Sequence, residues 1–317
     1  MTVVEPSPVD GFHHEAFLYH GEDEFLTGVG GFVRDGLAVG DVVVVAEPAD
    51  RLHLLRDALA GDLACDDSVR YLDMADVGAN PGRIIAVWAE ALAAATTGGR
   101  RLRGVGEPAF AGRRTPEFDE CHLHELLLNR AFDGGPAWRL VCPYDVGRVP
   151  EVVRHRALHS HPVWSTTART EPTGIDVDEV LAAAFADPLP TPTHAALRGD
   201  FGRADVPAVR RTVAAWARSC RLPVEQVESL ELAASELATN AVVHGGGSGS
   251  VAMWADPAAA VLEVSSPGPL VDPLSGRLRP PPGNEGGAGL YLVHHLCDLV
   301  QVRSGPAGTT VRVLTWR

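Results

Sequence analysis

Residues 224–245 read Val-Glu-Gln-Val-Glu-Ser-Leu-Glu-Leu-Ala-Ala-Ser-Glu-Leu-Ala-Thr-Asn-Ala-Val-Val-His-Gly, a stretch that predicts one long helix. Glu236, Asn240 and His244 follow one another at intervals of four, so their side chains share one face of that helix. About forty residues later, residues 285–290 (Glu-Gly-Gly-Ala-Gly-Leu) predict a glycine turn that opens a second helix. A carboxylate, an amide and a glycine-rich helix start can together hold a metal–polyphosphate, because oxygens bind the metal and backbone N–H groups bind phosphate.

The composition of the 317-residue chain excludes several classes of function. Its formal net charge of −14 argues against a general DNA or anionic-membrane binder, which needs a basic face. All 27 basic residues are arginines, so a P-loop lysine, a Schiff-base lysine and a lysine general base are absent. We therefore expect no direct contact with nucleic acid or membrane.

The five cysteines, at positions 65, 121, 142, 220 and 297, stand far apart and form no C-x-x-C motif. Such a scattered, odd-numbered set is typical of reduced thiols in the cytosol. The sequence also lacks a charged start followed by an apolar stretch, and no apolar run approaches membrane-spanning length. We expect a soluble, cytoplasmic protein.

The first half alternates short apolar runs with amphipathic segments. Strands are predicted at 14–20, 41–46, 69–72, 102–106 and 138–142, and helices at 22–37, 49–60, 82–96, 118–132 and 148–158. This alternation indicates a mainly parallel sheet with helices on both faces, and residues 42–45 (four valines) suit a strand that is buried on both sides.

The second half follows a proline-rich segment, which predicts two domains. We expect a first domain at 12–165, a linker with a short helix at 166–197, and a second domain at 198–317. Within the second domain, helices are predicted at 206–220, 224–244 and 288–298, and strands at 249–255, 259–265, 299–304 and 308–316. Helices grouped against one face of a mixed or antiparallel sheet indicate an α/β sandwich.

Residues 235–244, Ser-Glu-Leu-Ala-Thr-Asn-Ala-Val-Val-His, resemble the N box of the GHKL ATPase superfamily, and within it the anti-sigma-factor serine kinases. The resemblance covers roughly 195–317 and implies a GHKL α/β sandwich that binds ATP with Mg²⁺. It implies that Glu236 is the general base that activates the attacking hydroxyl and that Asn240 ligates Mg²⁺. It also places His244 among the nucleotide-binding residues.

Two glycine boxes and a closing strand extend the resemblance. Residues 286–290 resemble the second glycine box, which implies that Gly287, Gly289 and Leu290 meet the phosphates and hinge the ATP lid. The terminal Gly-Thr-Thr-Val-Arg-Val at 308–313 resembles the strand that supports the adenine pocket, which brings in Thr309. The lid stretch carries two arginines, Arg277 and Arg279, that could either meet phosphates or be solvated.

The first glycine box departs from the family pattern Asp-x-Gly-x-Gly. Ser266 takes the place of the aspartate that reads the adenine amino group, Gly268 is kept, and Leu270 replaces the second glycine. A hydroxyl can accept from the adenine amine, but neutral hydrogen bonds are about half as strong as charged ones. We therefore expect weaker nucleotide affinity than in the family.

The first half resembles the MEDS family of sensory domains, which implies a RecA-like fold ahead of a regulatory output domain. The matching stretches are Phe12–Tyr19, Glu24–Gly28, Gly106–Pro108, Phe118–Asn129, Cys142–Asp145 and His161–Pro162. The pairing of the two halves resembles actinobacterial anti-sigma regulatory proteins.

The ends of the predicted strands also indicate a ligand crevice in the first half, since parallel sheets bind ligands beyond the carboxyl ends of their strands. The residues that follow strands are Tyr19, His20, Glu47, Asp73, Glu107, Tyr144 and Asp145. The alternative is that these side chains cap helices or begin turns. His155 and His159 share a helix face, whereas His122 and His124 point apart, and a chain with 13 histidines produces such pairs by chance.

These features predict a signalling regulator. Its sensory half is expected to bind a small molecule, while its ATPase half sequesters a sigma factor and phosphorylates an anti-sigma antagonist on serine or threonine. The alternative is a catalytically weak module that binds partner proteins only, which the serine at 266 favours. A sensor histidine kinase is a third option, but residues 165–205 leave no room for its dimerising helical hairpin. The oligomeric state is open, with a homodimer as one option.

Overall fold

A computed structural model describes residues 11–63, 69–192, 197–281 and 288–317 of the chain. The chain forms two compact units, Met1–Leu181 and Ala182–Arg317, each with its own sheet. Among the described residues, no helix has both the length and the apolar character that crossing a membrane requires.

The first unit is built on a seven-stranded sheet in the order β3-β2-β4-β5-β1-β6-β7. Its strands are β1 (Phe12–Tyr19), β2 (Val42–Glu47), β3 (Val69–Asp73), β4 (Leu102–Gly106), β5 (Trp138–Asp145), β6 (Val163–Ser165) and β7 (Thr170–Pro172). Its helices are α1 (Gly21–Ala38), α2 (Ala49–Leu63), α3 (Met74–Val77), α4 (Ile84–Thr97), α5 (Thr115–Phe132) and α6 (Glu151–Leu158), and α7 (Val177–Ala186) follows them. All pairs are parallel except β6–β7, which confirms the expected mainly parallel sheet.

Side chains of the central strand β1 alternate between two helical layers. Phe17 and Tyr19 join the apolar core formed with helices α1 and α2. His14 points the other way, where its ring contacts two residues of α5. On that second face α4 lies close to β4, because a Cβ added to Gly104 would come within 3.0 Å of the Trp88 ring. The helices therefore cover both faces of the sheet, as expected.

The second unit is an antiparallel five-stranded sheet in the order β11-β12-β10-β9-β8. The strands are β8 (Leu197–Gly202), β9 (Ser248–Ala255), β10 (Ala259–Ser266), β11 (Leu299–Gly305) and β12 (Gly308–Trp316). The helices are α8 (Val206–Ser219), α9 (Val224–Val243) and α10 (Ala288–Leu296). The long helix α9 packs on the sheet and lies between α8 and α10, which gives the expected α/β sandwich.

Residues between the two sheets contribute more structure than the proline-rich sequence suggests. The division between the units falls inside α7, where Leu181 and Phe185 are both buried. Further along, the Arg312 guanidinium donates to the carbonyl of Pro190 over 2.8 Å. The domain limits 12–165, 166–197 and 198–317 stay predictions.

Candidate functional site

Helix α9 positions the predicted N-box residues of the second unit. Glu236 and Asn240 are half-buried on it, one turn apart. The helix ends where the backbone N–H groups of His244 and Gly245 both donate to the carbonyl of Asn240, over 2.8 and 3.1 Å. His244 is exposed at the C-cap of the helix, whereas Glu236 and Asn240 are half-buried.

The carboxylate of Glu236 lies directly against the first turn of α10. A Cβ added to Gly289 would come within 2.3 Å of Glu236 Oε2, so only a glycine leaves the carboxylate where it is. The first turn of a helix carries N–H groups without intrahelical partners, which makes it a natural phosphate site. The fold thus brings an acid and a phosphate-binding backbone together.

The predicted first glycine box lies against the C-terminal end of α9. The N–H of Gly268 donates to the carbonyl of Gly245 over 2.7 Å, and a Cβ on Gly268 would collide with Gly245 backbone atoms at 2.7–3.0 Å. Ser266 is on the same side, because a Cβ on Gly245 would lie 2.5 Å from Ser266 Oγ. The two glycines allow this close approach of strand and helix.

Thr309 of the closing strand fixes the shape of the first glycine box. It pairs with Ser266 across β12 and β10, and its hydroxyl donates to the carbonyl of Gly268 over 2.8 Å. Ser304 lies 3.0 Å from the Thr309 hydroxyl and accepts from the N–H of Leu270 over 2.7 Å. Leu270, which replaces a family glycine, therefore takes part in a hydrogen-bonded turn.

The remaining predicted residues of this unit lie in different settings. Leu290 is buried against Gly276, since a Cβ added to Gly276 would come within 2.6 Å of the Leu290 side chain. Leu290 is therefore a core residue in this structure. Arg277 is buried beside His294, whose pKa is lowered well below its usual range by burial and then by Arg277. Arg277 is therefore not the solvated or phosphate-facing arginine considered from the sequence, whereas Arg279 is exposed. Gly287 lies outside the described residues.

An open cleft of about 670 Å³ adjoins Ser266 at the ends of β8, β9 and β10. Its lining includes Asp200, Phe201 and Asp205 on one side and Ser265 and Ser266 on the other.

The residues of this unit fit a magnesium nucleotide. Carboxylate and amide oxygens of the kind carried by Glu236 and Asn240 are ligands that Mg²⁺ accepts. The space that a Cβ would fill at Gly289 and Gly268 is taken by the Glu236 carboxylate and by the Gly245 backbone, so the two glycines let the acid and the helix end lie close to the neighbouring backbone. Ser266 provides a neutral hydroxyl where the family has a carboxylate.

In the first unit, four of the seven predicted crevice residues come together on the α1–α2 side of the sheet. Tyr19, Glu47, Glu107 and Asp145 are all buried, and they surround one cation, Arg51 of α2. Arg51 donates to Asp145 over 2.7 Å and lies 5.5 Å from the centre of the Tyr19 ring. The cluster is polar but closed, not an open crevice.

The two glutamates of this cluster share a proton. Burial, then the neighbouring Glu107, raises the pKa of Glu47 well above its usual range, and the two carboxyls are hydrogen-bonded. Burial also raises the pKa of Glu107 to about 7, although the hydrogen bond with Glu47 and the charge of Arg51 oppose that rise. Burial, Glu107 and Glu47 raise the pKa of Tyr19 as well.

The other predicted crevice residues lie elsewhere. His20 is exposed and lines an open cleft of about 460 Å³ with Leu18, Glu24 and Arg154. Tyr144 points to the opposite face of the sheet, where its hydroxyl donates to Glu125 over 3.3 Å. Adjacent residues of a strand face opposite ways, so Tyr144 and Asp145 could not both enter one crevice. Asp73 caps α3 by accepting from the N–H of Ala75, which is the helix-capping role that was the alternative to a crevice.

A second buried polar cluster, not predicted from the sequence, lies on the α5 side of the sheet. It consists of His14, Glu125, Cys142 and His161. Each of the four lies in a stretch that carries the MEDS resemblance, which was the one signal in the sequence. The observed register pairs His14 with Leu140 and Ala16 with Cys142, so His14 and Cys142 face the same side of the sheet, and the sequence does not state this register.

The acid pair predicts how stability depends on pH. Because the folded state holds a proton on Glu107 up to about pH 7 while the unfolded state releases it near pH 4.5, the free energy of unfolding falls as pH rises through that window. In Glu107→Gln this group cannot ionise, so the variant should gain stability relative to the wild type between pH 5 and pH 8. The gain is on the order of 1–3 kcal/mol, measured by calorimetric melting at both pH values.

Glu151→Gln, at an exposed position on α6, is the matched control and should show no such gain. A difference between Glu107→Gln and the wild type that is the same at both pH values would contradict the shared proton.

Comparison with known proteins agrees with the two units. Residues 13–162 match the family model described as "MEDS: MEthanogen/methylotroph, DcmR Sensory domain", and residues 202–315 match the one described as "Histidine kinase-like ATPase domain". No curated protein matches the chain. A crystal structure of the RsbU and RsbW domains of a Mycobacterium tuberculosis protein is similar at 20% identity with a TM-score of 0.30. That similarity covers 40% of this chain and 34% of the other.

The resemblance of each half to a family is thereby confirmed. The chain carries a MEDS sensory domain at its N-terminus and a histidine kinase-like, GHKL-type ATPase domain at its C-terminus.

Proposed function

We propose that the protein is a signalling regulator in which the MEDS domain controls an ATP-dependent serine/threonine kinase of the anti-sigma-factor type. The observation that carries the proposal is the contact between Glu236 and the backbone at Gly289. A general base must lie within hydrogen-bond reach of the proton it removes, close to the phosphoryl group that is transferred. Glu236 lies beside the turn that is suited to hold phosphates.

Each residue of the proposed site has a role that follows from its position. Asn240, one turn along the same face, offers an amide oxygen to Mg²⁺, and Gly289 lets the first turn of α10, whose N–H groups suit phosphate, lie close to Glu236. Glu236 accepts the proton of the attacking serine or threonine hydroxyl. Ser266 and Thr309 support the nucleotide base beyond the C-terminal end of α9. Bound ATP supplies the phosphoryl group.

The proposed partners are a sigma factor and its antagonist protein, with a small molecule as the ligand of the MEDS domain. The four cysteines within the described part of the chain, at positions 121, 142, 220 and 297, form no disulfide, which supports a cytoplasmic site of action.

A second candidate is a GHKL-fold module that binds partner proteins without transferring phosphate. The neutral Ser266 favours it, since weaker base recognition lowers nucleotide affinity. Titration of the protein with ATP and Mg²⁺ separates the two, because the module has no need of the nucleotide.

The N-box assignment predicts two different losses. Asn240→Ala should remove the Mg²⁺ dependence of ATP binding, because the amide ligand is gone. Glu236→Gln should still bind ATP but release ADP about 10²–10⁴ times more slowly, as expected when a general base is removed. Calorimetric titration and an ADP-release assay measure the two effects.

Glu225→Gln, exposed in the first turn of the same helix, is the control and should match the wild type in both assays. An Asn240→Ala protein whose ATP affinity still responds to Mg²⁺ would rule out the metal-ligand role.

The contact at Gly289 predicts a loss of activity without a loss of fold. In Gly289→Ala the new methyl group meets Glu236 Oε2, and the flexible carboxylate has to swing away. ADP release should fall by a factor similar to that of Glu236→Gln, while the melting temperature stays level or rises, because alanine favours a helix over glycine by about 1 kcal/mol. The double variant should be no slower than either single one, since both remove the same base.

Gly199→Ala in β8 serves as the control, because the Cβ that it adds would have none of the surrounding heavy atoms within 4 Å. Full activity of Gly289→Ala would show that the observed position of Glu236 is not the active one.

The serine at 266 predicts how base recognition can be strengthened. Ser266→Asp should bind ATP about tenfold more tightly, because hydrogen bonds to charged groups contribute about 1.5–3 kcal/mol against about 1 for neutral ones. GTP presents a carbonyl where ATP has its amine, so its affinity should fall. Calorimetry with both nucleotides measures this, and Ser219→Asp is the control because that exposed side chain at the end of α8 lies outside the cleft beside Ser266. Equal changes for ATP and GTP would remove Ser266 from the base pocket.

A further inference from the structure

The buried cluster on the α5 side of the MEDS sheet brings four potential metal ligands to one point. His14 comes from β1, Cys142 from β5, Glu125 from α5, and His161 from the residues just before β6. Their side chains are at most 2% exposed. Within the described residues, this is the one group of three or more histidine, cysteine, aspartate or glutamate side chains arranged in this way.

The distances in the cluster suit a single ion. His14 Nε2 lies 3.0 Å and His161 Nε2 3.4 Å from Glu125 Oε2, and Cys142 Sγ lies 3.4 Å from both Glu125 Oε2 and His14 Nε2. All four ligand atoms lie within 4.8 Å of one another. Tetrahedral ligands at about 2.0–2.3 Å from zinc are separated by about 3.3–3.8 Å, so small movements suffice to place them around an ion.

The hydrogen bonds behind the two imidazoles fix which nitrogen faces the cluster. His161 Nδ1 lies 2.8 Å from the carbonyl of Ala157, which can only accept, so Nδ1 carries the hydrogen. His14 Nδ1 lies 3.1 Å from Asn129 Oδ1. The amide nitrogen of Asn129 donates to the carbonyls of Glu125 and Ser160, which orients its oxygen toward His14.

Both Nε2 atoms therefore turn lone pairs toward the carboxylate of Glu125 and the sulfur of Cys142. Among the four residues, the one hydrogen directed into the cluster is that of the Cys142 thiol, which donates to Glu125 Oε2 over 3.4 Å, and a cation between the groups would satisfy the lone pairs that remain in this dry interior. Orientation of ligating histidines by a hydrogen bond at the far nitrogen is the usual arrangement around protein metals. Tyr144 adds the same support on the carboxylate side, by donating to Glu125 Oε1.

We propose that His14, Glu125, Cys142 and His161 bind one divalent transition-metal ion, best matched by zinc, in the core of the MEDS domain. Two imidazoles, one thiolate and one carboxylate form a borderline-soft donor set that disfavours Mg²⁺ and Ca²⁺. Four protein ligands close the coordination shell. The ion joins β1, β5, α5 and the segment before β6, and the thiol of Cys142 releases its proton when the metal binds.

Metal titration of the full-length protein tests the proposal. Protein stripped with a chelator should take up one Zn²⁺ per chain. The melting temperature of the MEDS domain should then rise by several degrees, while Mg²⁺ should produce neither effect. Co²⁺ should give the visible bands of a tetrahedral site together with a near-ultraviolet band from the cobalt–thiolate bond. A protein that takes up no Zn²⁺, or a Co²⁺ complex without the thiolate band, overturns the proposal.

Two variants locate the ion. Cys142→Ser should abolish the thiolate band, whereas Cys121→Ser, at a buried cysteine outside the cluster that donates to the carbonyl of Pro108, should keep it. His161→Asn retains an N–H near the position of Nδ1 to donate to Ala157 but lacks Nε2, so it should weaken Zn²⁺ binding at least tenfold with an unchanged far-ultraviolet circular dichroism spectrum. If both cluster variants bind Zn²⁺ as the wild type does, the ion lies elsewhere and the assignment is wrong.

Discussion

The strict alternation of side chains along β1 is the constraint on which the MEDS domain depends. Because β1 lies between β5 and β6 and is covered by helices on both faces, most of its side chains are buried in one layer or the other. Apolar residues satisfy this without cost, but the strand also carries His14 and Tyr19. The parallel register with β5 then commits Cys142 and Tyr144 to the layer of His14, and Asp145 to the layer of Tyr19. Two separate polar clusters follow from this one pairing.

In the ATPase domain the corresponding constraint is close backbone approach. Strand β10 and helix α10 both reach α9 through glycines, at Gly268 and Gly289, and Gly245 completes the contact on the helix itself. At Gly245 and Gly268 a side chain would meet backbone and push the elements apart, whereas at Gly289 it would displace only the flexible Glu236 carboxylate. The acid at Glu236 and the hydroxyl at Ser266 thus both lie along the C-terminal part of α9, and each is next to a residue that has no side chain.

Much of the fold could be predicted from the sequence, because the strands and helices that build both cores carry clear periodic patterns. The predicted helix at 224–244 and the observed α9, Val224–Val243, differ by one residue. The short elements α3, β6 and β7 were not predicted, because three or four residues are too few to show a periodic pattern of apolar side chains. Strand β8 was missed because Leu197–Gly202 is largely exposed at the sheet edge and has no apolar alternation.

The candidate sites could be predicted only in part, because a sequence pattern reports the local geometry of one element and not the contacts between elements. Residues that share one helix, such as Glu236 and Asn240, are placed by local geometry alone. The crevice prediction treated all strand ends as one group, whereas the pleat separates Tyr144 from Asp145. Arg51 became visible only in the structure, because a helical arginine among 27 gives no sign that it will be buried. His14 and Cys142 required the strand order, which a sequence does not state.

Both buried clusters of the MEDS domain hold several polar or charged groups close together without water. The two clusters differ in how these groups are neutralised. In the cluster around Arg51, three carboxyl groups surround one guanidinium, and the excess negative charge is removed by a proton between Glu47 and Glu107. A carboxyl can do this because either oxygen can hold the proton. In the second cluster each histidine has already committed its Nδ1 hydrogen to an oxygen acceptor behind it. A proton placed on either Nε2 would create a buried imidazolium, and two such cations would face one carboxylate. An ion that accepts four lone pairs at once resolves that geometry without adding hydrogens, which is why the second cluster, and not the first, suits a metal.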